Sequence, residues 1–173
     1  MHLTPAQLAT LKAAIDADPT MSALPLNDDG ATAIAVILNT IRSPDYWIWR
    51  TAVSKEEYVN GLGPEGTVFS WTGAGFITRS VGERDAWREL FNSRGVANPS
   101  LTPVRQAFTD IFSGATAPAP ANRTHLAAVS RRRATLVEWI LRTNTAVGST
   151  AAPDTMGAEG PVIYQDVVAS RNL

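Results

Sequence analysis

The 173-residue chain is 45% apolar and 18% charged, enough to bury a core of ordinary domain size and too apolar for wholesale disorder. Fifteen Lys and Arg against sixteen Asp and Glu give a formal net charge of -1, so neither a global basic field for nucleic acid nor an acidic excess marks it. Zero cysteines exclude a disulfide framework, a cysteine nucleophile and thiolate zinc, and with only two histidines, His2 and His125, no multi-histidine metal site is expected. Composition points away from an enzyme and toward a packing or assembly role. No stretch approaches the roughly 20 apolar residues that span a bilayer, so no membrane partner is expected. The opening MHLTPAQLATLKAAIDAD lacks the order of a signal peptide, which places synthesis in the cytoplasm.

In chain order, Thr4-Pro5 sets a capping hydroxyl before a proline at the first helical position, with Gln7 placed to close a capping box. Leu8, Leu11 and Ile15 continue at helical spacing until Pro19. A loop through Pro25 and Asp28-Asp29-Gly30 then precedes a helix over Ala31 to Ile41, apolar at Ile34, Ile37, Leu38 and Ile41. Tyr46-Trp47-Ile48-Trp49 reads as an extended segment. Ser54 and Glu57 form a second capping box, whose helix runs to about Asn60 and stops at the glycine-rich stretch Gly61 to Gly66. Thr67–Trp71 and Phe76–Thr78 flank Thr72-Gly73-Ala74-Gly75 as a hairpin or a loop.

Ser80 and Glu83 form a third box, opening a helix that buries Ala86, Trp87, Leu90 and Phe91. Thr102-Pro103 repeats the opening device, and Val104, Ala107, Phe108, Ile111 and Phe112 share one helical face. After Gly114 a stiff Ala/Pro connector leads to Asn122, read as the cap of a short helix edged by Leu126 and Val129. Arg131-Arg132-Arg133 interrupts before Thr135 and Glu138 open another helix with Trp139, Ile140 and Leu141. Residues 143–157 are rich in Thr, Ser, Ala and Gly, Gly160 to Tyr164 reads as extended, and Gln165 to Arg171 as a last short helix. The expected architecture is mainly α: a single helical domain of five to seven short helices with minor β or extended segments, made of a body over 1–143 with a glycine-rich loop at 61–79, and a peripheral C-terminal arm over 144–173.

Catalytic signals are thin. His125 has no nucleophile and orienting acid at recognisable spacing, so it reads as structural. The glycines match no phosphate-binding motif, and Asp28-Asp29 and Glu56-Glu57 serve helix N-termini. Charge is informative by segment. Residues 1–30 carry one base and four acids, residues 31–95 seven of each, residues 96–143 six bases and two acids, and residues 144–173 one base and three acids. An acidic end and a basic stretch containing Arg123, Arg131, Arg132 and Arg133 suit contact between identical neighbours, a DNA-facing surface, or a solvated patch. Thirteen of the fifteen bases are arginine, a residue enriched at interfaces where lysine is depleted. Of five tryptophans, Trp87 and Trp139 sit on apolar helix faces, while Trp47, Trp49 and Trp71 are candidate interface aromatics.

The segments LTPAQLATLKAAI, WRTAVSKEEY, VRQAFTDIFSG, RRRATLVEWIL and GSTAAPDTMGAEGPVIYQDVVASRN resemble, in order and over nearly the whole chain, a family of small virion proteins of tailed bacteriophages encoded among head and head-tail junction genes. The resemblance implies a non-enzymatic viral structural protein without cofactors. By size and helical content it is similar to the adaptor, a head-tail connector that binds the portal as a homo-oligomeric ring, commonly a dodecamer, and continues the DNA channel toward a stopper or tail protein. That implies a virion location and genomic DNA passing through during ejection without sequence-specific binding. The arm's contacts with the portal or a neighbour are expected from Ile163, Tyr164, Val167 and Val168, and the basic interface or channel from Arg123 and Arg131 to Arg133. Competing readings are a head-completion protein, a tail terminator, a capsid decoration, or a small helical DNA-binding regulator using the arginine triplet.

Overall fold

The computed structural model describes residues 2–63, 66–92, 94–144 and 146–173, and of Ala74 the backbone alone. The fold is mostly helical. Among the described residues its elements run α1 (Pro5–Ala17), α2 (Pro19–Ser22), α3 (Asp28–Leu38), β1 (Trp47–Trp49), β2 (Val53–Ser54) and α4 (Lys55–Asn60). There follow a 3-10 turn at Gly73–Gly75, α5 (Val81–Glu89), β3 (Val96–Ala97), α6 (Thr102–Ile111), α7 (Ala119–Val129), β4 (Arg131–Arg133), α8 (Leu136–Ile140) and α9 (Tyr164–Arg171). No helix among them is long and apolar enough to cross a membrane.

The capping boxes start the helices where the sequence places them. Thr4 with Gln7, Ser54 with Glu57, Ser80 with Glu83 and Thr135 with Glu138 each close both reciprocal hydrogen bonds, satisfying donors that a helix start leaves orphaned. Four starts differ from expectation. Asp18 ends α1 and also accepts from the Thr20 and Met21 amides, which adds the separate short α2. The Asn27 side chain accepts from Gly30 N at 2.9 Å, so α3 begins at Asp28 and ends at Leu38, leaving Ile41 outside. Asn122 does not cap α7 but lies inside it, fully buried. Helix α6 begins at Thr102 without a side-chain cap; the Thr102 hydroxyl instead accepts from Arg105 Nη2 at 2.8 Å. The described helices number nine, more than the five to seven expected.

The chain divides into two compact units: residues 1–48 with 133–173, and residues 49–132. The first has an aliphatic core of Leu11, Ile15, Ile34, Leu38, Val137, Val162 and Val167. Helix α9 packs on α1 and α3. The segment 144–173 is therefore not a peripheral arm but part of this unit, held by polar groups that apolar periodicity does not register. Asp154, 3% exposed, accepts from Asn144 Nδ2 at 3.1 Å and lies 2.7 Å from the Tyr46 hydroxyl. Glu138 Oε1 accepts from Gly160 N at 3.0 Å, and the Asn39 amide exchanges hydrogen bonds with Val162 N and O at 3.0 and 2.8 Å. Gly148 has φ +63°, and a Cβ there would meet the Tyr46 ring at 2.3 Å, so only glycine fits.

The second unit is built on rings. Tyr58, Phe69, Trp87, Phe91, Phe108 and Phe112 are buried together with Val53, Ile111 and Leu126. Trp87 stacks on Phe69 at 5.6 Å and meets Phe91 and Phe112 edge-on at 4.9 and 5.5 Å, the offset and edge-to-face arrangements that ring quadrupoles favour. Strands β2 and β3 pair antiparallel, Val53 opposite Ala97. Within the 61–79 stretch, Gly73–Gly75 forms a 3-10 turn rather than a hairpin. Asn122 clamps it, accepting from Ser70 N at 2.8 Å and donating to Ser70 O and Gly75 O at 3.0 Å. Pro64 and Glu65 of the glycine-rich stretch lie outside the described residues.

Candidate functional site

The predicted contact residues at the C-terminal end separate into two classes. Ile163 and Tyr164, at the start of α9, are 50% and 41% exposed. Val167 is fully buried in the first unit's core and Val168 packs half-buried against it. A single helical turn places Val167 on the inward face, so its assignment as a contact residue is corrected: it holds α9 down.

The predicted basic residues lie on two different elements. Arg131 to Arg133 form β4, extended rather than helical, and the exposed Arg133 pairs with Asp45 at 3.4 Å. Arg123 lies on α7 and donates through Nη1 to Phe112 O and, at 2.9 Å, to Gly114 O, at the C-terminal end of α6. A guanidinium at a helix C-terminus satisfies orphan carbonyls and complements the dipole.

Among the candidate aromatics, Trp71 is 40% exposed and packs edge-on against Phe69 and Phe76, each at 4.9 Å. Trp47 and Trp49 are half-buried on either side of the buried Ile48, as alternation along a strand requires. Trp49 carries the Arg105 guanidinium over its ring at 4.8 Å. Arg105 in turn donates to Pro99 O, Ser100 O and Thr102 Oγ1 at 2.6, 2.7 and 2.8 Å. Burial pushes the Arg105 pKa below its ordinary value. Trp49, Arg105, Phe108, Thr109, Arg123 and Ser130 line a hollow of about 210 Å³. The sequence singles out Trp49 and Arg123 separately but neither Arg105 nor their juxtaposition, because Trp49 and Arg105 are 56 positions apart and no local pattern links them. A second pairing of this kind lies in the first unit, where Arg42 and Arg142 approach the Trp139 rings at 4.1 and 4.2 Å.

His125 is fully buried, its Nε2 2.7 Å from Tyr58 O and its Nδ1 3.1 Å from Thr67 Oγ1. Both ring nitrogens are committed to the packing of the second unit. The Tyr58 hydroxyl lies 2.8 Å from Ser130 Oγ, and burial pushes the Tyr58 pKa far above the ordinary phenol value. Among the described residues no group of three or more His, Cys, Asp or Glu could hold a metal ion. Comparison with protein-family models, curated proteins and solved structures finds no match to the chain.

Proposed function

We propose that the chain is a structural component of a tailed-phage particle, an adaptor-like head-tail connector that forms a ring of identical subunits on the portal and continues the DNA channel toward the tail. The observation that carries this reading is the ordered series of five segments, from LTPAQLATLKAAI to GPVIYQDVVASRN, that resemble small phage junction proteins. A ring subunit needs compact helical packing and two different surfaces that meet head to tail. Supporting features are the mostly helical fold, the acidic segment 1–30 against the basic segment 96–143, and the exposed Ile163 and Tyr164 as apolar contacts for the portal. DNA that must slide through such a ring requires a lining that does not grip phosphates, and Arg133 beside Asp45 fits a diluted basic surface.

The test is reconstitution. Purified chain mixed with portal rings from the particle encoded beside it should co-migrate in stoichiometric complex, and Ile163→Asp with Tyr164→Asp should weaken that complex while leaving the melting temperature near that of the parent. Failure of the parent chain to bind portal, or its binding to capsid shells instead, would overturn the adaptor reading.

A further inference from the structure

The hollow lined by Trp49, Arg105, Phe108 and Arg123 holds two positive charges that its surroundings do not neutralise. Carbonyls and a threonine hydroxyl fix the Arg105 guanidinium, and two carbonyls fix that of Arg123. These hydrogen bonds orient the groups without cancelling charge. Among the described residues neither arginine pairs with a carboxylate. The floor is apolar, with Phe108 only 5% exposed and the Trp49 ring alongside. A fitting occupant is therefore an apolar side chain followed closely by carboxylates.

The chain itself displays one. Leu26 is 85% exposed, the most exposed large apolar side chain among the described residues, and Asp28 and Asp29 follow it, both exposed and in no ion pair. The loop is preorganised. Arg171 donates to Leu24 O and Pro25 O at 2.9 and 3.0 Å, and the Asn27 side chain accepts from Gly30 N, so little ordering entropy opposes docking.

We infer that the Trp49–Arg105–Arg123 hollow receives the Leu26–Asp29 loop of a second copy of this chain, Leu26 entering against Trp49 and Phe108 while Asp28 and Asp29 meet the two guanidiniums. Loop and hollow are different surfaces, so the contact is heterologous and propagates head to tail, closing into a ring where the rotation permits. The inference rests on the ring reading above and names the contact that builds it.

Because the chain has no cysteine, cross-linking tests it cleanly. Leu26→Cys and Thr109→Cys, both at exposed positions, are purified separately, mixed at high concentration and oxidised. The expected product is a disulfide-linked heterodimer in the mixture, little or no dimer of either variant alone, and a ladder of oligomers when both substitutions share one chain. Adding Asp28→Asn and Asp29→Asn to the Leu26→Cys chain removes two charge-assisted contacts, each on the scale of about tenfold, and should cut the heterodimer yield at least about tenfold. Absence of heterodimer above the single-variant background, or a Leu26→Cys homodimer in its place, overturns the contact. If light scattering still finds closed oligomers of the parent chain, the ring reading survives that failure; a cross-link formed by a chain that does not bind portal retains the self-contact and removes the connector role.

Discussion

The unit of residues 1–48 and 133–173 buries aliphatic side chains, Leu11, Ile15, Ile34, Leu38, Val137 and Val167 among them, whereas the unit of residues 49–132 buries rings, Tyr58, Phe69, Trp87, Phe91, Phe108 and Phe112. The first draws its core from both ends of the sequence, so α1 and α3 find their partner only when α9 arrives. The second is continuous in sequence, with α5 beside α6 and α6 beside α7, although α4 also packs on the distant α7. Aliphatic packing is non-directional and rests on shape and area. Ring packing adds preferred angles. One unit is thus sensitive to loss of its last element, and the other to loss of a central ring.

The largest expected effect breaks the first unit. Val167→Asp places an unpaired carboxylate among Leu and Ile side chains and should cost about 4 kcal/mol. In hydrogen exchange, α1 and α3 should lose protection while α5 to α7 keep theirs; equal loss in both sets would contradict the division. Next, Trp87→Ala removes the ring that touches Phe69, Phe91 and Phe112 and should cost about 3 kcal/mol. Chemical denaturation followed by near-ultraviolet circular dichroism reads that loss, and α1 and α3 amides should be spared.

The smallest effect concerns a device common to both units. Ser80→Ala should cost about 1 kcal/mol, measured as a shift in urea midpoint. It should also change acid sensitivity. Hydrogen bonds from the Ser80 hydroxyl and amide hold Glu83 below the ordinary carboxylate pKa, against a smaller opposing push from burial and with help from Arg79. A carboxylate depressed in the folded state contributes stability above its unfolded pKa and loses it as pH falls through the folded one. The gap between parent and Ser80→Ala should therefore be full at pH 7 and narrow at acid pH. A gap independent of pH would mean that the helix start does not depend on the Glu83 charge.

Local chemistry was legible in the sequence where neighbours decide it. Four capping boxes, the apolar face of Phe108, Ile111 and Phe112, and the extended Trp47–Trp49 all follow from spacing within a few residues. What escaped were polar groups acting across long separations. Asp154, Glu138 and Asn39 bind the last thirty residues into the first unit, and a reading that counts only apolar positions takes that stretch for an arm. Asn122 was assigned to a cap because caps favour asparagine, yet its partners lie about 50 positions earlier. The candidate hollow was illegible for the same reason: Trp49, Arg105 and Arg123 come from β1, α6 and α7, and only the fold brings them together.

The central proposal is a ring at the head-tail junction, and the most direct measurement is a cryo-electron microscopy reconstruction of that junction in purified particles whose genome encodes this chain. The account predicts density for the chain as a closed ring between portal and tail, with the Leu26–Asp29 loop of each subunit seated beside Trp49 of the next. Density on the capsid shell or at the tail tip, or no copy of the chain in purified particles, would contradict it.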